Sequence, residues 1–153
     1  LRRFTKAARD FNMKAFTLLE LLITLGISAM VLAVSWPLMT NIYLSFQITS
    51  EVDNLIAVLR KAQSLAFTNQ DQSPYGVYIL ESQYLVFKGS SYAGRDPTFD
   101  EKFAKPSDII ISGLSEVVFT PLSGVSNATG TFDLSNGRQN LSIQINDEGT
   151  INY

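Results

Sequence analysis

The run from Phe16 to Trp36, Phe-Thr-Leu-Leu-Glu-Leu-Leu-Ile-Thr-Leu-Gly-Ile-Ser-Ala-Met-Val-Leu-Ala-Val-Ser-Trp, constrains this chain more than any other stretch. It is apolar almost throughout, and no Asp, Glu, Lys or Arg other than Glu20 occurs between Lys14 and Glu51. As an α-helix rising about 1.5 Å per residue, it is long enough to cross a hydrocarbon core of about 30 Å. A helix suits lipid because its backbone groups satisfy one another. A carboxylate does not: placing one in hydrocarbon costs roughly 2.5 to 3.5 kcal/mol on insertion scales, so an acid at this depth points to a task.

The flanks say which way the segment works. Arg2, Arg3, Lys6, Arg9 and Lys14 against Asp10 make the first fifteen residues basic, as expected of a segment held on the cytoplasmic side of a membrane. A secretory signal peptide has a shorter apolar core and a small-residue cleavage site behind it. Here the small residue, Ala15, stands in front of the apolar run. A cut at Ala15 leaves the hydrophobic helix on the mature chain as an anchor. Pro37 lacks an amide hydrogen and clashes with the carbonyl four residues back, so a kink or local loosening is expected there.

The sequence Lys14-Ala15-Phe16-Thr17-Leu18-Leu19-Glu20 resembles the class III signal of type IV prepilins and type II secretion pseudopilins, in which a short basic leader ends in Gly or sometimes Ala before Phe-Thr-Leu-x-Glu. The resemblance covers residues 14 to 37, with Pro37 where the family commonly has a helix-kinking proline. Ala15 replaces the usual Gly, and Met13 offers a start that would leave only Met13-Lys14-Ala15 as leader. The resemblance implies cleavage between Ala15 and Phe16 by a membrane prepilin peptidase, which in the family also methylates the new Phe16 amine. It further implies that Glu20 of an incoming subunit meets the Phe16 amine of another subunit during assembly. The partners implied are the peptidase, other pilins or pseudopilins through the N-terminal helix, an inner-membrane assembly platform and membrane lipid. The expected location is single-pass in the inner membrane, with the leader cytoplasmic and the C-terminal part outside, and then in a pilus or pseudopilus.

Beyond Pro37 the helix pattern continues as an amphipathic one. Val52, Leu55, Ile56, Leu59, Ala62 and Ala66 recur at helical spacing, with Leu65 widening the stripe, while Asp53, Asn54, Arg60, Lys61 and Gln63 fall largely elsewhere. One long helix from Phe16 to about Thr68 fits, as do two helices joined near Asn41 to Ser45. From Ser73 the period shifts to two, predicting strands at 75–80, 84–88, 108–112, 116–120, 130–134, 141–146 and 150–153. Residues 80–84 and 146–149 read as hairpin turns, the second with Gly149 suited to positive φ. Residues 89–107 are polar, hold Gly94, Pro97 and Pro106, and read as a long exposed loop. The fold class expected is α+β, a long N-terminal helix packed on a C-terminal antiparallel β-sheet or β-sandwich. The organisation is a leader at 1–15, a membrane or filament-core helix at 16–37, an amphipathic continuation at 38–70 and a β-rich domain at 71–153. The phrases at 59–66, 76–79, 118–121 and 145–151 are similar, more loosely, to blocks of the minor pseudopilin type H and its minor-pilin relatives.

Composition removes several chemistries. The chain has no cysteine and no histidine, which excludes disulfides, Ser-His and Cys-His nucleophilic sites and zinc held by those residues. Loss of the leader would leave seven basic against thirteen acidic side chains, a balance that argues against a nucleic-acid surface and hence against a DNA-uptake pilin. Asp96, Asp100, Glu101 and Asp108 are the acids a carboxylate hydrolase would draw on, but no partner constellation accompanies them. Asp133, Asn136, Asp147 and Glu148 offer hard oxygens, yet without EF-hand spacing, so calcium is not favoured and no cofactor is expected. The chain reads as a structural subunit, not an enzyme.

Overall fold

The computed structural model describes residues 16–153, except the side chains of Pro37 and Leu38. The leader, with Met13 and Ala15, lies outside the described residues. One α-helix, α1 (Leu18–Phe67), is followed by a short 3-10 turn (Gln70–Gln72) and eight strands. The helical assignment passes through Asn41 to Ser45 without a break, which selects the single long helix over two. Two units divide the described chain, one ending at Thr40 and one comprising Asn41–Tyr153.

In the second unit the strands are β1 (Tyr75–Ile79), β2 (Gln83–Lys88), β3 (Asp96–Ala104), β4 (Ile110–Gly113), β5 (Glu116–Phe119), β6 (Gly130–Ser135), β7 (Asn140–Ile145) and β8 (Ile151–Asn152). They form two antiparallel sheets, ordered β3-β2-β1-β5 and β4-β6-β7-β8. The chain changes sheet after β3, after β4 and again after β5. The crossing at the end of β4 needs Gly113, whose φ is 91° and whose added Cβ would lie 2.2 Å from the Thr131 carbonyl oxygen.

The apolar stripe of α1 forms one core with both sheets. Ile48, Val52, Leu55, Ile56, Val58, Leu59, Ala62 and Ala66 are buried in one cluster with Val77, Tyr84, Val86, Val117 and Phe119 of the first sheet and Phe132, Leu134, Ile143 and Ile145 of the second. Alternation along each strand sends these side chains inward. Each fully buried aliphatic or aromatic side chain contributes about 1.5 to 3 kcal/mol of hydrophobic stabilisation, so this face fixes the helix on the sheets. The helix stops where Asn69 takes a left-handed conformation, φ 52° and ψ 38°. Leu122 N–H also donates to the Ala66 carbonyl at 3.0 Å, capping the last turn from a distant loop.

Residues 89–107 are not the long exposed loop expected from their composition. Residues 96–104 form edge strand β3, paired with β2 from Gln83↔Ala104 to Val86↔Glu101. Pro97 and the charges Asp96, Asp100, Glu101 and Lys102 disguise it, yet such residues are how an edge strand avoids pairing with other chains. The preceding turn folds onto the outer face of the first sheet. There Tyr92 stacks on Tyr78 with ring centroids 3.8 Å apart and meets Phe87 edge-on at 6.1 Å. Arg95 lies over the Tyr92 ring at 4.0 Å and is bonded to both Asp100 carboxylate oxygens at 3.0 Å. Leu85, Phe87 and Val118 are therefore buried on a face that would otherwise meet water. Gly76 makes room for Phe87, because a Cβ there would sit 2.5 Å from the ring.

Candidate functional site

The site is the first turn of α1 and the apolar surface behind it. Phe16 and Thr17 precede the helix, which begins at Leu18. Thr17 is its N-cap: the Thr17 carbonyl accepts the Leu21 N–H at 3.1 Å, and the Thr17 Oγ1 accepts the Glu20 N–H at 3.2 Å. Thr17-x-x-Glu20 is the capping-box spacing, in which the acid three residues after the cap can reach back toward the cap's own amide. The Thr17 cap is worth about 1 kcal/mol and fixes the register of Phe16 against Glu20. A carboxylate in the first turn also gains from the positive end of the helix dipole. Among the described residues no cation meets Glu20 within salt-bridge distance.

Every residue from Phe16 to Trp36 is exposed, including Leu18 at 77% and Met30 at 74%. The most apolar part of α1 has a mean hydropathy of 2.2, and none of it is buried among the described residues. Its polar side chains are satisfied within the helix. Thr24 donates to the Leu21 carbonyl at 3.0 Å, Ser28 to Thr24 at 2.7 Å and Ser35 to Val31 at 2.8 Å. Glu20 is the exception in an otherwise lipid-compatible surface.

Of the other residues singled out in the sequence, Ala15 lies outside the described residues, and Pro37 falls within α1. The acids considered for hydrolysis have structural partners. Asp100 pairs with Arg95, Glu101 with Lys61, and Asp96 accepts the Thr98 N–H at 3.0 Å; hydrogen bonding from the Thr98 side chain, and then from its N–H, holds the Asp96 carboxyl below the usual carboxylate range. Asp133 accepts from the Thr131 and Ser142 hydroxyls, and Asn136 Nδ2 donates to the Leu44 carbonyl at 2.9 Å.

Three positions that hold the β-rich unit to the helix escaped the sequence reading. Glu51 is buried at 5% exposure, its Oε1 accepting from the Tyr84 hydroxyl at 2.5 Å and from Asn54 Nδ2 at 3.4 Å. Burial, and then the Glu51 carboxylate, raise the Tyr84 phenol far above its ordinary range. Gln63 Nε2 donates to the Gly124 carbonyl at 3.1 Å and the Gly149 carbonyl at 2.8 Å, joining two turns to α1. Arg138 in the β6–β7 turn donates to Asn41 Oδ1. Glu51 had a detectable signal, since it lies three residues after Ile48 and four before Leu55, on the buried stripe itself.

Residues 10–36 match the family model described as the prokaryotic N-terminal methylation motif. No curated protein and no solved structure matches the chain at a significant level. The motif and the exposed apolar helix behind it support membrane anchoring. The match supports a type IV pilin-like or pseudopilin subunit, processed by a prepilin peptidase and assembled with other pilins. Proteins of that kind are generally structural.

Proposed function

We propose that this chain is a minor pseudopilin or minor type IV pilin, a structural subunit that helps initiate or cap a pseudopilus or pilus. The observation that carries the reading is the methylation motif placed directly before an apolar helix that, among the described residues, stays exposed. Such a surface requires lipid before assembly and neighbouring helices after it. The looser similarity of residues 59–66, 76–79, 118–121 and 145–151 to the type H minor pseudopilin supports the minor-subunit assignment.

In this reading the peptidase cuts between Ala15 and Phe16 and methylates the Phe16 amine. Phe16, next to the cut, precedes the Thr17 cap and stands outside the helix. The new ammonium then lies one turn from Glu20. Pairing Glu20 with the Phe16 ammonium of a neighbouring subunit gains about 1 kcal/mol at 4 Å in water but about 4 at an effective dielectric near 20. It also removes the cost of an unpaired carboxylate in lipid. Loosening at Pro37 would let the apolar half adjust as subunits pack.

Crosslinking between apolar helices in cells with an active prepilin peptidase tests the proposal. A cysteine placed at Met30 is expected to crosslink this chain to another pilin-like subunit, and the crosslink should disappear when the peptidase is absent. A chain that stays monomeric in the membrane while the pilus or pseudopilus forms normally without it would overturn the assignment.

A further inference from the structure

We propose that the cleft between the β6–β7 turn and residues 41–45 of α1 binds the phosphate of an anionic phospholipid headgroup, with Arg138 as its ligand. This rests on the membrane-anchored reading above. The cleft has a volume of about 220 Å³ and is lined by Asn41, Leu44, Ser45, Arg138 and Gln139. It lies wholly within the second unit.

Three observations converge on it. The first is position: a hydrocarbon core of about 30 Å takes about 20 helical residues, and the interfacial layer beyond it takes about 3 to 5 more. Counted along α1 from Phe16, the headgroup level falls near residues 39–41, where the cleft begins. The second is charge. From residue 15 to residue 59 the sequence contains no Lys or Arg, so the helix itself brings no cation to that level. The fold brings one from nearly a hundred residues away.

The third is preorganisation. Asn136 Oδ1 accepts the N–H groups of Arg138 at 3.1 Å and Gln139 at 2.9 Å, while Asn136 Nδ2 donates to the Leu44 carbonyl at 2.9 Å. The Arg138 guanidinium spends one N–H on Asn41 Oδ1 and has no carboxylate partner among the described residues. Its remaining donors suit bidentate phosphate recognition. Lys61, Lys88 and Arg95 are each paired with an acid; Arg60, Lys102 and Lys105 also lack an acid partner among the described residues, but none of them lines this cleft. Tyr43, 67% exposed, and Phe46, 72% exposed, lie at the same level of α1 and are side chains that favour the membrane interface.

The test uses the full chain reconstituted in two kinds of vesicle. One contains phosphatidylglycerol and phosphatidylethanolamine, the other phosphatidylcholine alone. Amide hydrogen exchange at residues 137–139 is expected to be about tenfold slower in the phosphatidylglycerol vesicles, a difference that Arg138→Gln abolishes and Arg138→Lys restores in part. Equal exchange in both vesicles, with the chain retained after alkaline washing, overturns this proposal and leaves the anchor reading intact. A chain washed out of both vesicles overturns the two together. Slowing by soluble glycerol phosphate in phosphatidylcholine vesicles would identify a free-phosphate site and refute a lipid site.

Discussion

Replacing Tyr84 by Phe removes the hydroxyl that satisfies the buried Glu51 carboxylate. Tyr84 is fully buried and Glu51 is 5% exposed, so water cannot readily take the hydroxyl's place. The carboxylate would keep only the longer Asn54 contact at 3.4 Å. A hydrogen bond to a charged group is worth about 1.5 to 3 kcal/mol, and a buried acceptor left unsatisfied costs about 1 to 3 kcal/mol, more when it is charged. Partial relaxation toward the surface sets the expected cost of Tyr84→Phe at about 2 to 3 kcal/mol. At about 4 °C per kcal/mol, that lowers the Tm of the β-rich unit by about 8 to 12 °C. Thermal unfolding of the full chain in detergent micelles, followed by near-UV circular dichroism, measures the shift. Glu51→Leu combined with Tyr84→Phe removes both polar groups, so the double variant should be more stable than the sum of the single losses by about 1.5 kcal/mol or more. A Tyr84→Phe shift below about 2 °C, or additive single losses, would refute the argument that this pair anchors α1 to the first sheet.

Gln63→Ala removes two hydrogen bonds to turn carbonyls and should cost about 2 kcal/mol in urea unfolding, with faster amide exchange confined first to residues 120–125 and 146–149. Gly149→Ala should cost at least as much, because its φ is 81° and the new Cβ would lie 2.3 Å from the Gly124 carbonyl oxygen. Alkaline titration should destabilise the protein: burial and then Asp71 push the Tyr75 phenol up to about 12, and burial also raises Tyr84. Both folded values exceed the unfolded value near 10, so their stabilisation is full below about pH 10 and is lost as pH rises through the folded values, with a slope of up to about 1.4 kcal/mol per pH unit for each tyrosine. Tyr84→Phe should flatten that slope. Glu20→Ala should leave membrane insertion unchanged and reduce the fraction recovered in assembled filaments about tenfold or more, since a tenfold effect requires only about 1.4 kcal/mol.

The parts of the fold that could be read directly are those in which the local period matches the buried face. Val52, Leu55, Ile56, Leu59, Ala62 and Ala66 announced a helix lying on a sheet, and all six are buried. The turn at 146–149 was legible for a similar reason, since Gly149 supplies a backbone angle other residues resist. What failed was whatever depends on distant partners. Strand β3 carries Pro97 and four charges and has no apolar alternation of its own, so only β2 makes it a strand. Glu51 was passed over because a carboxylate is ordinarily solvated, and its partner Tyr84 is 33 residues away. The same holds for Arg138 and Asn136, whose contacts with α1 span more than ninety residues. The N-terminal motif needed no tertiary information, because its residues act together within two helical turns.

The mass of the N-terminal peptide from native membranes tests the central claim most directly. The account predicts a chain that begins at Phe16 with a methylated amine, and that retains Ala15 only in cells without prepilin peptidase. A mature chain with the Ala15–Phe16 bond intact, or one beginning at any other residue, would contradict it.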